Sequence, residues 1–386
     1  MRGRLRALAL ATAALSVNFW AWSLISPIAS QYSDDLDLTP WMLSVMLAVP
    51  VIVGSLGRIP LGALADRYGG RLMFAAICFF AALPVAGLAL AESYSYILIA
   101  GLLLGVAGAS FAVGVPFVNA WFPPKKRGLM LGIYSMGNAG TAISGLLTPQ
   151  LHTHFGGYKS FFVVAALLVV MGLIFAKWGR NSPDWERPKH SALGSFWLAA
   201  GQRSTWDLSL LYALTFGAFV AFSVYLPMLL KTTYDLSLAD AAARAAGFVF
   251  LATAARPLGG WLSDKFGGKN VIRGVLALVA VLPVAITVPQ TLSLPATSAY
   301  LSLAIALGCG SGAVIALVSQ MSKPATLGSV TGIVGASGGL GGFLPPLVLG
   351  VTYQQTGSYT LAILMLAATA LLLLAYIHLR FKRVQA

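Results

Sequence analysis

An all-α membrane protein of twelve transmembrane helices, arranged as two parallel six-helix repeats, is the fold class this sequence predicts, and three observations predict it. Hydrophobic residues make up 58% of the 386 positions and charged residues 9%, with a mean hydropathy of +0.83, which lies outside the balance of soluble globules. Apolar stretches of about 20 residues, the length a helix needs to cross a hydrocarbon core, recur from end to end. A pair of matching motifs recurs at one fixed offset and divides the chain in two.

Taken in order, the apolar stretches place spans at 6–30, 40–64, 72–92, 95–121, 128–150, 158–178, 206–230, 238–263, 271–290, 297–320, 326–352 and 358–379. Arg2, Arg4 and Arg6 ahead of the first run look like the charged start of a signal peptide. The run is too long for one and shows no small-residue cleavage site, so it reads as an uncleaved first helix. The spans group as an N-terminal half (1–178), a polar cytoplasmic linker (179–203, with Arg180, Asn181, Pro183, Asp184, Glu186, Arg187, Pro188 and Lys189) and a C-terminal half (204–386).

Charge fixes the expected orientation. Apart from Arg58, Arg244, Arg256, Lys159 and Lys231, every Lys and Arg falls at the N-terminus, in the loops near 66–71, 125–127, 177–203, 264–273 and 323, or in the tail from Arg380 to Arg383. The alternate loops carry Asp34, Asp35, Asp37, Glu92 and Asp235. Basic loops stay in the cytoplasm, so a multi-pass protein of the cytoplasmic (inner) membrane with both termini inside is expected. The net charge of +14 is then a topology signal: the partner is the lipid bilayer and no nucleic acid is called for. Cys78 and Cys309 lie far apart in apolar spans and support neither a disulfide framework nor a zinc site. No metal or other cofactor is expected, and the chain is expected to be a monomer.

Two charges do not fit the lipid setting. Arg58 and Arg256 each sit deep in an apolar span and are each followed eight residues later by an aspartate, Asp66 and Asp264. Eight helical residues span about 12 Å, and the aspartates fall in polar, basic stretches typical of a membrane surface. Each arginine therefore lies roughly halfway into a core about 30 Å thick. Even on the lenient insertion scale an arginine there costs on the order of 3 kcal/mol. With no acidic residue at similar depth, the expected partner is an anion, and the expected activity is carriage of an anion across the membrane. A cation exporter would want an intramembrane acid, and an enzyme a nucleophile, an acid/base pair or a metal set, none of which the spans supply. Exchangers of larger organic anions and a transport-dead anion sensor remain as alternatives. Arg244, near the outer end of its span, reads as a snorkelling side chain.

Arg58 and Arg256 are 198 residues apart, as are Asp66 and Asp264, and the same offset lays Gly137-Asn138-Ala139-Gly140 on Gly335-Ala336-Ser337-Gly338. Parallel halves of this kind, with a site between them, permit alternating access. Gly62, Asp66, Arg67, Gly69, Gly70 and Arg71, repeated as Gly260, Asp264, Lys265, Gly267, Gly268 and Lys269, resemble the cytoplasmic loop signature of the major facilitator superfamily. The resemblance implies a gating role, charges that latch one state. Gly137, Gly140, Gly335, Gly338 and Gly339 are small residues that let helices approach and slide, and are expected to serve the same gating.

With the arginines in spans two and eight, Gly137-Asn138-Ala139-Gly140 in span five and the run from Gly338 to Pro346 in span eleven, the chain resembles the nitrate/nitrite porter family over essentially all twelve spans. The resemblance implies a nitrate or nitrite anion held by Arg58 and Arg256, flanked by Phe111, Tyr212 and Phe216, with Asn138 as a polar contact. Ala336, where strict symmetry would put a second asparagine, departs from the pattern. Nitrate and guanidinium are both planar and delocalised and can pair edge to edge, while flat aromatic walls select a trigonal ion over a tetrahedral one. Asn138 and Tyr212 can donate hydrogen bonds. All acidic residues and the four histidines (His152, His154, His190, His378) fall in loops or near span ends, so no proton carrier is visible at the depth of the arginines. Nitrate/nitrite antiport is therefore expected ahead of proton-coupled nitrate symport or exchange of another small anion.

Overall fold

A computed structural model describes residues 2–188, 191–287 and 293–382; Lys189 and His190 of the linker and Arg383 of the tail lie outside the described residues. Lipid offers the backbone no hydrogen bonds, so apolar stretches must satisfy their own amides, and among the described residues every regular element is a helix. In chain order these are α1 (Arg2–Trp22), α2 (Ala29–Asp35), α3 (Pro40–Leu56), α4 (Arg58–Tyr68), α5 (Gly70–Leu88), α6 (Tyr94–Gly108), α7 (Phe111–Trp121), α8 (Pro124–Ser135), α9 (Gly140–His154) and α10 (Phe161–Trp178). They continue as α11 (Ala192–Ala200), α12 (Arg203–Tyr234), α13 (Leu238–Ala254), α14 (Arg256–Phe266), α15 (Gly268–Thr287), α16 (Leu294–Met321), α17 (Leu327–Gly341), α18 (Leu344–Thr356) and α19 (Thr360–Lys382).

Side-chain caps start several of them. Thr39, Ser93, Ser191 and Ser237 accept the backbone N–H of Met42, Tyr96, Gly194 and Asp240 at the openings of α3, α6, α11 and α13. The matched glycines of the loop signature have a local reason. Gly69 (φ +79°) and Gly267 (φ +81°) take positive φ just after α4 and α14, where a Cβ would be strained.

Nine helical runs among the described residues are long and apolar enough to cross a membrane. The other three predicted spans are also helical but interrupted. Span 128–150 is broken by a 3-10 turn (Met136–Ala139), 238–263 turns at Ala255, and 326–352 breaks at Gly342 and Phe343. Glycine and charge weaken these three as apolar runs, yet helix forms throughout. The linker has no regular element from Gly179 to Pro188 apart from a turn at Pro183 and Asp184, and α11 starts at Ala192; its Phe196 and Trp197 belong to an apolar turn that the polar residues around it obscured.

The chain forms two compact units. The first comprises Met1–Pro123, Ile133–Thr205 and Ser322–Ala336. In it α5 packs on α6 and α10, α3 on α6, and α1 on α9. Its core includes Leu24, Ile28, Val85, Leu104, Phe161 and Leu168. The second comprises Pro124–Gly132, Trp206–Met321 and Ser337–Ala386, with α15 against α16 and α19, and α13 and α14 against α16. Large apolar side chains also face outward, among them Leu83 and Leu173 in the first unit and Phe250 and Leu372 in the second, as lipid-facing surfaces require.

A buried polar contact joins α1 to α9: Trp20 Nε1 donates to Thr148 Oγ1 at 3.0 Å. Thr148→Val keeps the shape and strands the indole N–H, so it is expected to lower stability by about 1 kcal/mol. Adding Trp20→Phe should then cost little more. Thermal unfolding of the two single variants and the double variant checks this, and strictly additive losses would show that the bond contributes nothing.

Candidate functional site

Four of the six predicted substrate-site residues lie at helix irregularities, while Tyr212 and Phe216 lie within the unbroken α12. Arg58 opens α4 directly after the turn at Gly57, and Arg256 opens α14 directly after Ala255. Phe111 opens α7 after a tight turn in which the Ala109 and Ser110 amides bond three residues back. Asn138 lies in the 3-10 turn before α9. Such departures from regular helix recur at functional sites because they aim a side chain differently from the rest of the face.

In the first unit Arg58 is 1% exposed. Its Nη1 donates to the carbonyl of Gly335 at 2.7 Å, and its guanidinium carbon lies 5.7 Å from the centroid of the Phe111 ring. Tyr134 stacks on Phe111 at 5.7 Å and donates its hydroxyl to the Phe111 carbonyl at 3.1 Å, which fixes the ring beside the cation. In the second unit Arg256 is also 1% exposed, 5.3 Å from the Phe216 centroid and 4.9 Å from that of Phe219. Tyr212 and Phe216 stack at 5.0 Å with ring planes 5° apart. Cation–ring contacts of this kind are worth about 2 kcal/mol when desolvated. Each unit thus brings one arginine together with the aromatic residues predicted for it. Phe219 was missed, although it sits three residues from Phe216 and seven from Tyr212 on the same face of α12, a spacing that could have found it. Tyr134 carried no comparable signal.

Asn138 is 6% exposed, and neither its Oδ1 nor its Nδ2 has a hydrogen-bond partner among the described residues. A buried amide left so costs about 1–3 kcal/mol, so a ligand or water facing it would be stabilising. Gly335 faces the Arg58 side chain, and a Cβ on Gly338 would fall 2.3 Å from the Tyr212 ring; these two glycines make room for site side chains. Gly137 and Gly140 pack on Leu15 and Ser16 of α1, and Gly339 is buried in α17.

The two signature aspartates form matching clamps. Asp66, 3% exposed, accepts the amides of Gly328 (2.7 Å) and Ser329 (2.9 Å) and the Ser329 hydroxyl (2.9 Å). Asp264 accepts the amides of Gly128 and Leu129, both at 2.9 Å. The Asp66 carboxylate, on N–H groups in the first turn of α17, is favourably placed, while Asp264 meets amides in the second turn of α8. Backbone approach beside each clamp requires glycine: a Cβ on Gly62 would lie 2.1 Å from the Gly328 carbonyl oxygen, and one on Gly260 2.0 Å from that of Gly128. The basic members sit around the clamps. Arg67 is half-buried by the Tyr68 ring, and Arg71 donates Nη2 to Ala176 O at 2.6 Å and its amide to Asn181 Oδ1 at 3.0 Å. Lys265 lies over the Trp261 and Phe266 rings, and Lys269 is half-buried at the start of α15.

These clamps correct the repeat register expected for spans five and eleven. Asp66 and Asp264 are 198 apart, but the residues they meet, Gly128 and Gly328, are 200 apart, as are Pro124 and Pro324, and Gly132 and Gly332. Gly132 abuts the backbone of Arg256 and Pro257 just as Gly332 abuts that of Arg58 and Ile59. The counterpart of Asn138 is therefore Gly338, not Ala336, and the match of Gly137–Gly140 to Gly335–Gly338 is a coincidence of glycine-rich sequence.

Residues 11–346 match the family described as Major Facilitator Superfamily. The chain is 43% identical over 380 residues to a probable nitrate/nitrite transporter, NarK2, of Mycobacterium tuberculosis, covering 97% of this chain and 96% of that protein. It is 37% identical over 365 residues to a nitrite extrusion protein of Bacillus subtilis (94% and 91% covered) and 36% identical over 382 residues to a probable nitrate transporter, NarT, of Staphylococcus epidermidis (97% and 96%). In fold it resembles the human organic anion transporter MFSD10 (TM-score 0.78, 16% identity, 97% and 99% covered) and the transporter FucP in its outward conformation (TM-score 0.77, 17% identity, 98% and 99%). These are transporters and not enzymes, and their fold together with the apolar helices makes this a multi-pass membrane protein. The chain belongs to the nitrate/nitrite porter family of the major facilitator superfamily.

Proposed function

We propose that the chain moves nitrate and nitrite across the cytoplasmic membrane by alternating access, exchanging one for the other, with both termini in the cytoplasm. The observation that carries this is the pair of wholly buried arginines at equivalent helix breaks, each set against aromatic rings. Relatives named as nitrate/nitrite and nitrate transporters and as a nitrite extrusion protein support the choice of anion.

In this mechanism Arg58 and Arg256 both bind the anion. A planar oxyanion accepts in-plane hydrogen bonds from a guanidinium fork, and water exclusion strengthens the attraction. Phe111 and Phe216 hold the forks and present ring faces to a flat ion, Tyr212 braces Phe216, and the Asn138 amide donates a further bond. Asp66 and Asp264, with their basic neighbours, act as gating groups: each aspartate holds a neighbouring helix by its amides, and those bonds break and re-form as the helices move.

Arg58→Lys and Arg256→Lys keep the charge and lose the fork, so each is expected to reduce nitrate uptake into proteoliposomes by roughly 100-fold, about 2.8 kcal/mol. Near-normal uptake by both would rule out fork recognition. Asn138→Ala should raise the KM for nitrate by roughly tenfold, as for loss of one hydrogen bond to a charged group, and Asn138→Asp should abolish uptake by adding a like charge; equal mild effects of the two would remove Asn138 from the site. For coupling, labelled nitrate uptake should require nitrite or nitrate inside the vesicle and ignore a protonophore. Uptake driven by a pH gradient into vesicles holding only an inert anion would establish symport instead.

A further inference from the structure

The linker helix α11 has no role in the site above, and it is apolar where a linker is expected to meet water. Its nine residues, Ala-Leu-Gly-Ser-Phe-Trp-Leu-Ala-Ala, include no charge. A helix that is apolar all round is normally covered all round. Here the chain covers one side only: Ser195 and Ala199 are buried, while Leu193 is 66%, Trp197 65% and Leu198 47% exposed. Leu193 and Trp197 are four residues apart, so they stand together on the face turned away from the protein.

The position of α11 says what covers that face. Only Gly201 and Gln202 separate its end from Arg203, the first residue of α12, and α12 is one of the runs long and apolar enough to cross a membrane. Three residue steps reach about 11 Å at most. Hydrogen bonds tighten the junction: the Thr205 hydroxyl and the Gln202 amide both donate to the Ala199 carbonyl, at 2.8 and 3.1 Å. The end of α11 is therefore fixed at the level where α12 starts. At the linker's other end Trp178 is nearly half exposed, with the Lys177 ammonium 4.9 Å from its ring centroid, and aromatic residues beside bases belong at a membrane surface. Charge agrees. From Arg180 to Arg203 the bases (Arg180, Arg187, Lys189, Arg203) outnumber the acids (Asp184, Glu186), and Arg187 and Arg203 are exposed on either side of α11 in the sequence.

We propose that α11 is an in-plane membrane helix: Leu193, Trp197 and Leu198 sit in the boundary between headgroups and acyl chains of the cytoplasmic leaflet, and Arg187 and Arg203 take anionic headgroups. That the leaflet is the cytoplasmic one, and that Asp66 gates, rest on the function proposed above. α11 packs on α4, the helix that carries Asp66, and on the 3-10 turn Pro324–Thr326, which ends two residues before Gly328, whose amide Asp66 holds. One helix thus touches both sides of the Asp66 clamp, and anchoring it in the leaflet makes the clamp's opening and closing sensitive to lipid charge.

Nitroxide labels on the full chain in lipid vesicles test the seat, with the wild type, whose Cys78 and Cys309 are buried, as the labelling blank. Labels on Leu193→Cys and Trp197→Cys should relax faster with oxygen than with a water-soluble nickel chelate, and a label on Glu186→Cys the reverse. Labels at the first two positions as open to the chelate as the third overturn the proposal. So do labels shielded from both reagents together with a dimer that Trp197→Glu dissociates, since a second copy then covers the face. Exchange of labelled nitrate should run several-fold faster in vesicles containing phosphatidylglycerol than in phosphatidylcholine alone, and Arg187→Gln/Arg203→Gln should cut that difference below about twofold with KM in phosphatidylcholine unchanged. Equal lipid dependence in this variant and the wild type overturns the anionic-lipid contact. The label depths do not depend on transport, so vesicles that exchange no nitrate would sink the transport function and leave the seat standing. Modification of Glu186→Cys in intact cells by a membrane-impermeant thiol reagent would likewise reverse only the orientation.

Discussion

A guanidinium in a hydrocarbon interior is the constraint on which the rest of this structure depends. It stays charged at any physiological pH, so burial cannot be relieved by losing a proton as it could for lysine or histidine. At 1% exposure Arg58 and Arg256 must be held by dipoles and ring faces. Each feature around them meets part of that demand. The Gly335 carbonyl lies on one edge of Arg58, Phe111 stands beside it and Phe216 and Phe219 stand beside Arg256. Dipoles and ring faces of this kind stabilise a buried cation.

The clamps fix how neighbouring helices meet. A salt bridge between two side chains would hold them strongly but loosely in space. A carboxylate on backbone amides fixes register instead, because the donors cannot rotate away. Asp66 on Gly328 and Ser329, and Asp264 on Gly128 and Leu129, each sit beside a glycine pair that admits no Cβ, so the helices can meet there in one register. That repetition reveals the internal duplication more securely than sequence identity does. With 41 glycines in the chain, short glycine patterns align at several offsets, and the 198-residue match in spans five and eleven was one of these. The contacts with Asp66 and Asp264 select 200, a shift absorbed in the stretch between the aspartate and the following Pro124 or Pro324.

The spans were legible because lipid imposes one rule on every residue along about 20 positions, and both arginines were legible because they break that rule. Phe111, Tyr212 and Phe216 came from the family resemblance, since an aromatic in an apolar span carries no mark of its own. The turn at Ala255 and the bend at Gly57 had a local signal, since Pro257 and Pro60 just downstream each lack a helical N–H donor; the 3-10 turn around Asn138 had none as strong. Helix α11 was hidden by its surroundings. Its short apolar turn lies inside a stretch whose prolines and charges dominate any window wide enough to average over, and it is its packing on α4 that reveals it.

Under the proposed function, the same charge that selects the anion also sets the coupling. An empty site with two guanidinium groups would have to cross low-dielectric surroundings carrying about two unit charges, and the energy of a charge there rises steeply as the dielectric falls. One bound monovalent anion removes about half that charge and spreads the rest over a larger, hydrogen-bonded ion pair. Reorientation loaded is then faster than reorientation empty, and a carrier that moves chiefly when loaded in both directions is an exchanger. Nothing in this requires a titrating group. The protein needs only that nitrate and nitrite, two small planar oxyanions of equal charge, be nearly equivalent to the same pair of forks.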